Sequence, residues 1–318
     1  MDIIEQIVSG DVRTIARILR DIDDELPSSR SILQRLYPHT GKAHVVGFTG
    51  SPGVGKSSLV DQIAGFYRKE SRTVGILAVD PTSPFTGGAI LGDRIRMQRH
   101  FLDPGVFIRS LATRGQFGGL SKSTNDMVNV LDAAGKDVVL VETVGVGQDE
   151  VEIANSAHTT VLVTVPGMGD DIQAIKAGIM EIGDIFVVNK ADREGSRKTV
   201  RELMNLIEIG LRRREGLDWE PQIVETEAVK GKGVDKLYET IEKHKAHLQA
   251  TGSERWREVV EKRTRIQLMS ALRDQALKVV LQRLDEQGTS VDELVRRIVD
   301  RESDPYTIVE QILDKGLQ

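Results

Sequence analysis

The sequence predicts an α/β protein, a doubly wound and mostly parallel sheet with helical extensions at both ends. Three observations carry that reading. Seven short runs rich in Val and Ile, apolar on both faces, alternate with amphipathic stretches between residues 42 and 250, as in buried parallel strands joined by right-handed βαβ units. The first run leads directly into Gly50-Ser51-Pro52-Gly53-Val54-Gly55-Lys56-Ser57, which meets G-x-x-x-x-G-K-[ST] at every fixed position. Outside 42–250 the strand pattern vanishes and only helical spacing remains.

Residues 1–41 form the N-terminal extension. Ile4, Ile7 and Val8, then Ile15, Ile18 and Leu19, recur at helical spacing, and Gly10-Asp11 separates the two pieces with Asp11 as an N-cap. The strand runs follow at 44–49, 73–80, 106–111, 138–143, 159–165, 185–190 and 222–226. From 251 to 318 the chain reads as a long helix over 254–287 and shorter ones over 291–299 and 306–313. The long helix carries an apolar stripe of Val259, Ile266, Met269, Leu272, Ala276 and Val279. Two readings of that stripe stay open: packing on its own domain, or meeting the same stripe of a second copy.

Composition narrows the function. With 318 residues, 39% hydrophobic and 29% charged, the chain can bury a sizeable core. It has no cysteine, which excludes disulfides, thiolate metal sites and cysteine nucleophiles. A net charge of -5 gives no general attraction for nucleic acid or an anionic membrane, and Arg212-Arg213-Arg214 sits among acids as a solvated face. The apolar runs are too short to cross a bilayer and no basic start precedes an apolar stretch, so the expected location is cytoplasmic.

The loop at 50–57 is a phosphate site in physical terms. Its glycines reach backbone angles barred to other residues, so successive N–H groups point into one hollow. The helix opening near Lys56 adds its positive dipole end. Lys56 then reaches the β- and γ-phosphates, and the Ser57 hydroxyl serves Mg²⁺; Ser58 follows in the same turn. At the end of a later strand, Asn189-Lys190-Ala191-Asp192 supplies the base reader. A carboxylate accepts from guanine N1–H and the 2-amino group, whereas adenine has no donor there. A buried Asp192 would therefore discriminate by roughly a thousandfold. After the next strand, Glu227-Ala228-Val229-Lys230 occupies the place where a backbone N–H closes over guanine O6.

Three acids lie near the same edge: Asp80, Asp93 and Glu142. One carboxylate with Ser57 and two phosphate oxygens suffices for Mg²⁺. Asp80 and Asp93 also have structural readings, as a turn former before Pro81 and as an N-cap, so Glu142 has the best claim. Gly145 is placed to give its N–H to the γ-phosphate. Val146 follows it where Ras-like GTPases carry the glutamine that orients water, so slow turnover is expected; Gln148, three residues after Gly145, is open to two readings, a substitute or a surface residue. Arg94, Arg96, Arg99 and Arg114 flank glycine-bearing stretches within reach of a phosphate.

Together the residues 50–58, the Ala-Val-Asp-Pro-Thr-Ser stretch ending at Ser83, Glu142-Thr-Val-Gly-Val-Gly-Gln148 and 166–176 resemble the MeaB/ArgK GTPases over essentially the whole chain. The resemblance implies a GTP/GDP- and Mg²⁺-binding chaperone of an adenosylcobalamin-dependent acyl-CoA mutase, methylmalonyl-CoA mutase above all. It implies a homodimer built by the C-terminal helices, GTP-gated cofactor loading and ejection of damaged cofactor. It also makes Asp80, Asp93 and Glu142 the magnesium-region acids, and Asp170 and Lys176 part of a switch loop that relays nucleotide state. The sequence holds no Asp-x-His-x-x-Gly, so cobalamin is expected on the partner.

Three rivals fit less well. A nickel or zinc metallochaperone GTPase needs a cluster of soft or imidazole ligands, and the six histidines are dispersed. An ATP- or GTP-dependent kinase tied to basic amino-acid transport lacks the kinase motifs and sits badly with Asp192. A signal-recognition GTPase would bring a methionine-rich domain, against seven Met in all.

Overall fold

In a computed structural model, residues 2–80, 97–112, 119–143, 156–167, 183–211, 219–250 and 254–316 are described. They divide into two compact units, Met1–Arg263 and Thr264–Gln318. The division falls inside the long helix rather than ahead of it, and the N-terminal helices belong to the same unit as the sheet.

The first unit is a seven-stranded sheet, every registered pair of neighbours parallel. Its strands are β1 (His44–Thr49), β2 (Val74–Asp80), β3 (Val106–Ala112), β4 (Val138–Glu142), β5 (Thr159–Thr164), β6 (Ile185–Asn189) and β7 (Gln222–Thr226), in the order β3-β2-β4-β1-β5-β6-β7. Every predicted run is a strand, and each end agrees to within one residue, because a strand buried on both faces needs an unbroken apolar run. β1 lies between β4 and β5, to which the chain moves in opposite directions, so a crevice opens beyond its carboxyl end.

Helices cover both faces. On one, α4 (Lys56–Lys69) and α7 (Val234–Ala250) bury Leu59, Ile63, Tyr67, Leu237 and Ile241 against Val46, Phe48 and Leu140. On the other, α1 (Ile3–Val8), α2 (Val12–Asp23) and α5 (Gly119–Ala133) bury Ile7, Ile15, Leu19, Met127 and Leu131 against Val45, Val139 and Val141. Asp11 caps α2 by accepting from the Thr14 N–H at 2.8 Å, as its position predicts. α3 (Pro27–Leu36) completes the extension. α6 (Ser196–Leu211) packs Leu203 and Ile207 on β5 and β6. Asp132 of α5 ties the extension to the sheet, accepting from the backbone N–H groups of Gly41, Lys42 and Ala43 at 2.6, 3.1 and 3.0 Å.

A second polar cluster closes the opposite end of the sheet. Thr159 Oγ1 lies 2.9 Å from both His44 Nε2 and His244 Nδ1, and the Val45 N–H donates to His158 Nδ1 at 3.0 Å. The rings of His158 and Trp256 stack at 4.3 Å, and Trp219 lies 4.7 Å from His244. Arg263 contacts His158 Nε2. Burial drives all three histidines below the ordinary range, to about 3 for His244; Lys245 and Arg263 add to this at His44 and His158.

The second unit contains most of α8 (Glu254–Glu286), with α9 (Val291–Val299) and α10 (Pro305–Gly316). Its core is small: Leu284, Leu294 and Ile308, with Val280, Ile298 and Ile312 against them. Leu268, Met269, Leu272 and Val279 of α8 are exposed. α8 has 33 residues and at 1.5 Å per residue spans roughly 50 Å. Among the described residues no helix is long and apolar enough to cross a membrane.

The histidine cluster predicts an acid response of definite sign. A histidine held neutral in the fold takes up its proton only on unfolding, so stability is complete above about pH 6.5. It falls as pH drops, by up to about 1.4 kcal/mol per pH unit for each such group. Urea titrations between pH 7 and 4.5, followed by the emission of Trp219 and Trp256, should show this loss before the carboxylates titrate. A flat stability over that window would contradict it.

Candidate nucleotide site

The phosphate loop leaves β1 between the carboxyl ends of its neighbours. Gly50 has φ of 132°, and a Cβ there would stand 2.0 Å from the Val163 carbonyl oxygen of β5. Gly55, at φ 98°, would drive a Cβ to 2.4 Å from Asn189 Nδ2. Both glycines are thus required by backbone angle and by space. Val54 and Lys56 are buried, and α4 begins at Lys56, so its N-terminal turn faces the loop. Lys56 Nζ donates to the Gly50 and Ser51 carbonyls at 2.6 and 3.1 Å. The ammonium is therefore already inside the loop, where phosphate oxygens would take it over from those carbonyls.

Ser57 and Glu142 meet at the same mouth. β4 pairs with β1 so that Glu142 stands beside Phe48, and the Ser57 hydroxyl donates to Glu142 Oε1 at 2.7 Å. Glu142 is only 4% exposed. A hydroxyl and a buried carboxylate in contact beside a phosphate loop are the hard oxygen donors that Mg²⁺ takes. Asp80 ends the neighbouring strand β2, in register with Ala112, while its side chain lies outside the described residues. Arg96, Asp93, Gly145, Asp170 and Lys176 also lie outside them, as do Arg94, Arg114 and Gln148. Arg99 is bound elsewhere, 2.7 Å from Asp61.

The base loop is fastened to the phosphate loop by Asn189, which is 2% exposed. Its Nδ2 donates to the Val54 carbonyl at 2.8 Å, and its Oδ1 accepts from Thr226 Oγ1 at 3.0 Å and from the Ala228 N–H at 3.1 Å. Lys190, in left-handed backbone at φ 55°, adds a bond from Nζ to the Gly53 carbonyl at 2.7 Å. Both side chains thus bind protein and shape the site. Asp192 alone of the tetrapeptide turns an exposed acid outward, at 47% exposure. Its environment differs from the sequence expectation of a buried carboxylate. Lys230 Nζ lies 2.9 Å from Asp192 Oδ2 and 2.8 Å from Glu227 Oε2, and this hydrogen bond holds Asp192 below its usual pKa. An acid that is half exposed and already partnered leaves less to lose with adenine, so the thousandfold figure is too large.

Sequence reading missed Thr226 and Gln62. Gln62 Nε2 donates to the Ala228 carbonyl at 3.2 Å from α4, 166 positions away. Thr226 pairs with Asn189 across β6 and β7, which a known strand order would have revealed. Four of the six histidines make structural contacts: His44, His158 and His244 in the basal cluster, and His100 2.9 Å from the Asp61 carbonyl. Among the described residues, no group of three His, Asp or Glu stands ready to hold a metal ion.

A family model described as methylmalonyl Co-A mutase-associated GTPase MeaB matches residues 15–287. The chain belongs to the MeaB family. It is 47% identical over 314 residues to a Pyrococcus horikoshii protein named Putative GTPase PH0274, covering 99% of this chain and 97% of the other. It is 34% identical over 210 residues to the mouse protein named Methylmalonic aciduria type A homolog, mitochondrial, covering 65% of this chain and 50% of that one. The crystal structure of an LAO/AO transport system kinase superposes with a TM-score of 0.70 at 25% identity, covering 99% of this chain and 97% of that chain. Fold and kinship agree that this MeaB-family chain is a P-loop GTPase acting on guanine nucleotide.

Two variants separate fastening from reading. Asn189→Ala should cost about 1–3 kcal/mol of stability by stranding its buried partners, and should weaken every nucleotide alike. Asp192→Asn should leave stability unchanged and turn preference toward xanthosine nucleotides, because the exchange reverses donor and acceptor. Thermal melts and nucleotide titrations check both; a uniform loss in Asp192→Asn would contradict the assignment.

Proposed function

We propose that this GTPase is a Mg²⁺-dependent switch serving an adenosylcobalamin-dependent acyl-CoA mutase of the methylmalonyl-CoA type, gating cofactor loading and protecting or reactivating that enzyme. The observation that carries the nucleotide part is the single knot joining the loop at 50–57, Ser57–Glu142 and the base loop. The partner is supported by the family description and by the name of the mouse relative. Ser57 and Glu142 would hold the ion, with Asp80 and Asp93 in its surroundings. Bound there, Mg²⁺ would neutralise charge on the β- and γ-phosphates.

The residues of this chain have separable tasks in that reading. The backbone of 50–57 and Lys56 bind phosphate; Asn189 and Lys190 set the distance to the base; Asp192 selects it, with a backbone N–H of Ala228, Val229 or Lys230 closing over it. Gly145, Arg96, Asp170 and Lys176 would sense the γ-phosphate and pass its state outward. Turnover would be slow, since Val146 stands where Ras-like GTPases place glutamine. Transport-kinase activity is not favoured, because the site reads as a guanine site and the relatives are GTPases.

The assembly would be a homodimer through the second unit. Leu272, Ala276 and Val279 of α8 with Ile312 and Leu313 of α10 line an apolar groove of about 350 Å³. The test is co-purification with a cobalamin-dependent mutase from the same cell. A complex whose yield changes between GDP and a non-hydrolysable GTP analogue is expected, with this chain eluting as a dimer that Leu272→Glu splits. Absence of any nucleotide-sensitive complex would overturn the partner.

A further inference from the structure

Lys230 has a side-chain role that its place in the closing loop does not require. Its ammonium stands between two acids, 2.9 Å from Asp192 Oδ2 and 2.8 Å from Glu227 Oε2. The two acids are not equivalent. Glu227 is 16% exposed, its Oε1 is also held by Lys232 at 3.2 Å, and its backbone bridges to Lys232. Asp192 and Lys230 are 47% and 54% exposed. Glu227 is thus a fixed post, Lys230 an arm pivoting on it, and Asp192 the far contact.

We propose that Lys230 is a latch on the guanine-reading carboxylate: it holds Asp192 while the base site is empty and must let go for guanine to bind. The inference rests on Asp192 being the guanine reader. Guanine presents N1–H and the 2-amino group side by side, so it needs both oxygens of Asp192 along one edge. Lys230 fills one of the two acceptor positions on Oδ2, and the latch requires that it be the one on the base-facing edge. When the latch opens, Lys230 keeps its bond to Glu227, so no charge is stranded. The loss is one exposed ion pair, a factor of about two to five in the open fraction.

The consequence is specific to rate and to base. A binding-competent state that is fractionally populated slows association by that fraction and leaves the dissociation of bound nucleotide alone. Adenine makes no demand on Asp192, so Lys230 can stay where it is and adenine nucleotides gain nothing from its removal. Lys230 therefore lowers guanine-over-adenine selectivity slightly while sparing the empty site an unpaired acid.

The experiment is stopped-flow binding of fluorescent GDP and ADP to the full chain with Mg²⁺, in wild type, Lys230→Met, Lys230→Arg, Asp192→Asn and the Lys230→Met/Asp192→Asn double variant. Expected are GDP association about two- to fivefold faster in Lys230→Met, unchanged dissociation, unchanged ADP rates, and wild-type rates in Lys230→Arg. In the Asp192→Asn background, with a xanthosine probe, Lys230→Met should change nothing. Unchanged or slower GDP association in Lys230→Met, faster GDP dissociation, or an effect that persists without Asp192, overturns the latch. If Asp192→Asn itself fails to exchange guanine for xanthosine preference, the reading of Asp192 falls instead, whatever Lys230 does.

Discussion

The carboxamide of Asn189 is the joint on which the site depends. One side of it holds the phosphate loop through Val54, and the other holds Thr226 and Ala228. Three segments far apart in sequence are thereby held together at the carboxyl ends of the strands. The joint is buried, so its bonds are not diluted by water, and breaking one leaves a polar group stranded. Gly55 has no side chain because Asn189 must come that close. A phosphate loop alone would bind many anions; fixed to a base loop, it measures a guanine nucleotide.

The sheet separates two kinds of polar chemistry. At the carboxyl ends of its strands the groups are charged and paired near the surface of the loop: Lys56 with loop carbonyls, Glu142 with Ser57 and Asp192 with Lys230. At the opposite end they are neutral and consumed, three histidines sharing Thr159 and the Val45 N–H beneath the two tryptophans. The first set is poised to exchange partners on ligand binding. The second fixes the strand starts and the first turns of α8, which gives the catalytic end a rigid base.

Much of this was legible in the sequence, for identifiable reasons. Strands buried on both faces admit no polar interruption, so their limits could be read to a residue, and Asp11 could be placed as a cap from a glycine and the apolar spacing after it. The phosphate loop was legible because its chemistry dictates residue type. What escaped depends on distance in space: the reach of Gln62 to the Ala228 carbonyl, and the ion pair of Lys230 with Asp192 across 38 positions. That pair changes the energetics, since Asp192 is neither buried nor alone. The compact division at 263 rather than 250 escaped too, because α8 runs through it without any break in helical spacing.

The central claim is that this is a guanine site selected by one half-exposed acid. Equilibrium titration of the wild-type chain with GDP and ADP, each with Mg²⁺, tests it most directly. GDP should bind roughly ten- to hundredfold more tightly, the range of a charged hydrogen bond made to one base and not the other. Equal affinities for the two nucleotides would contradict the account.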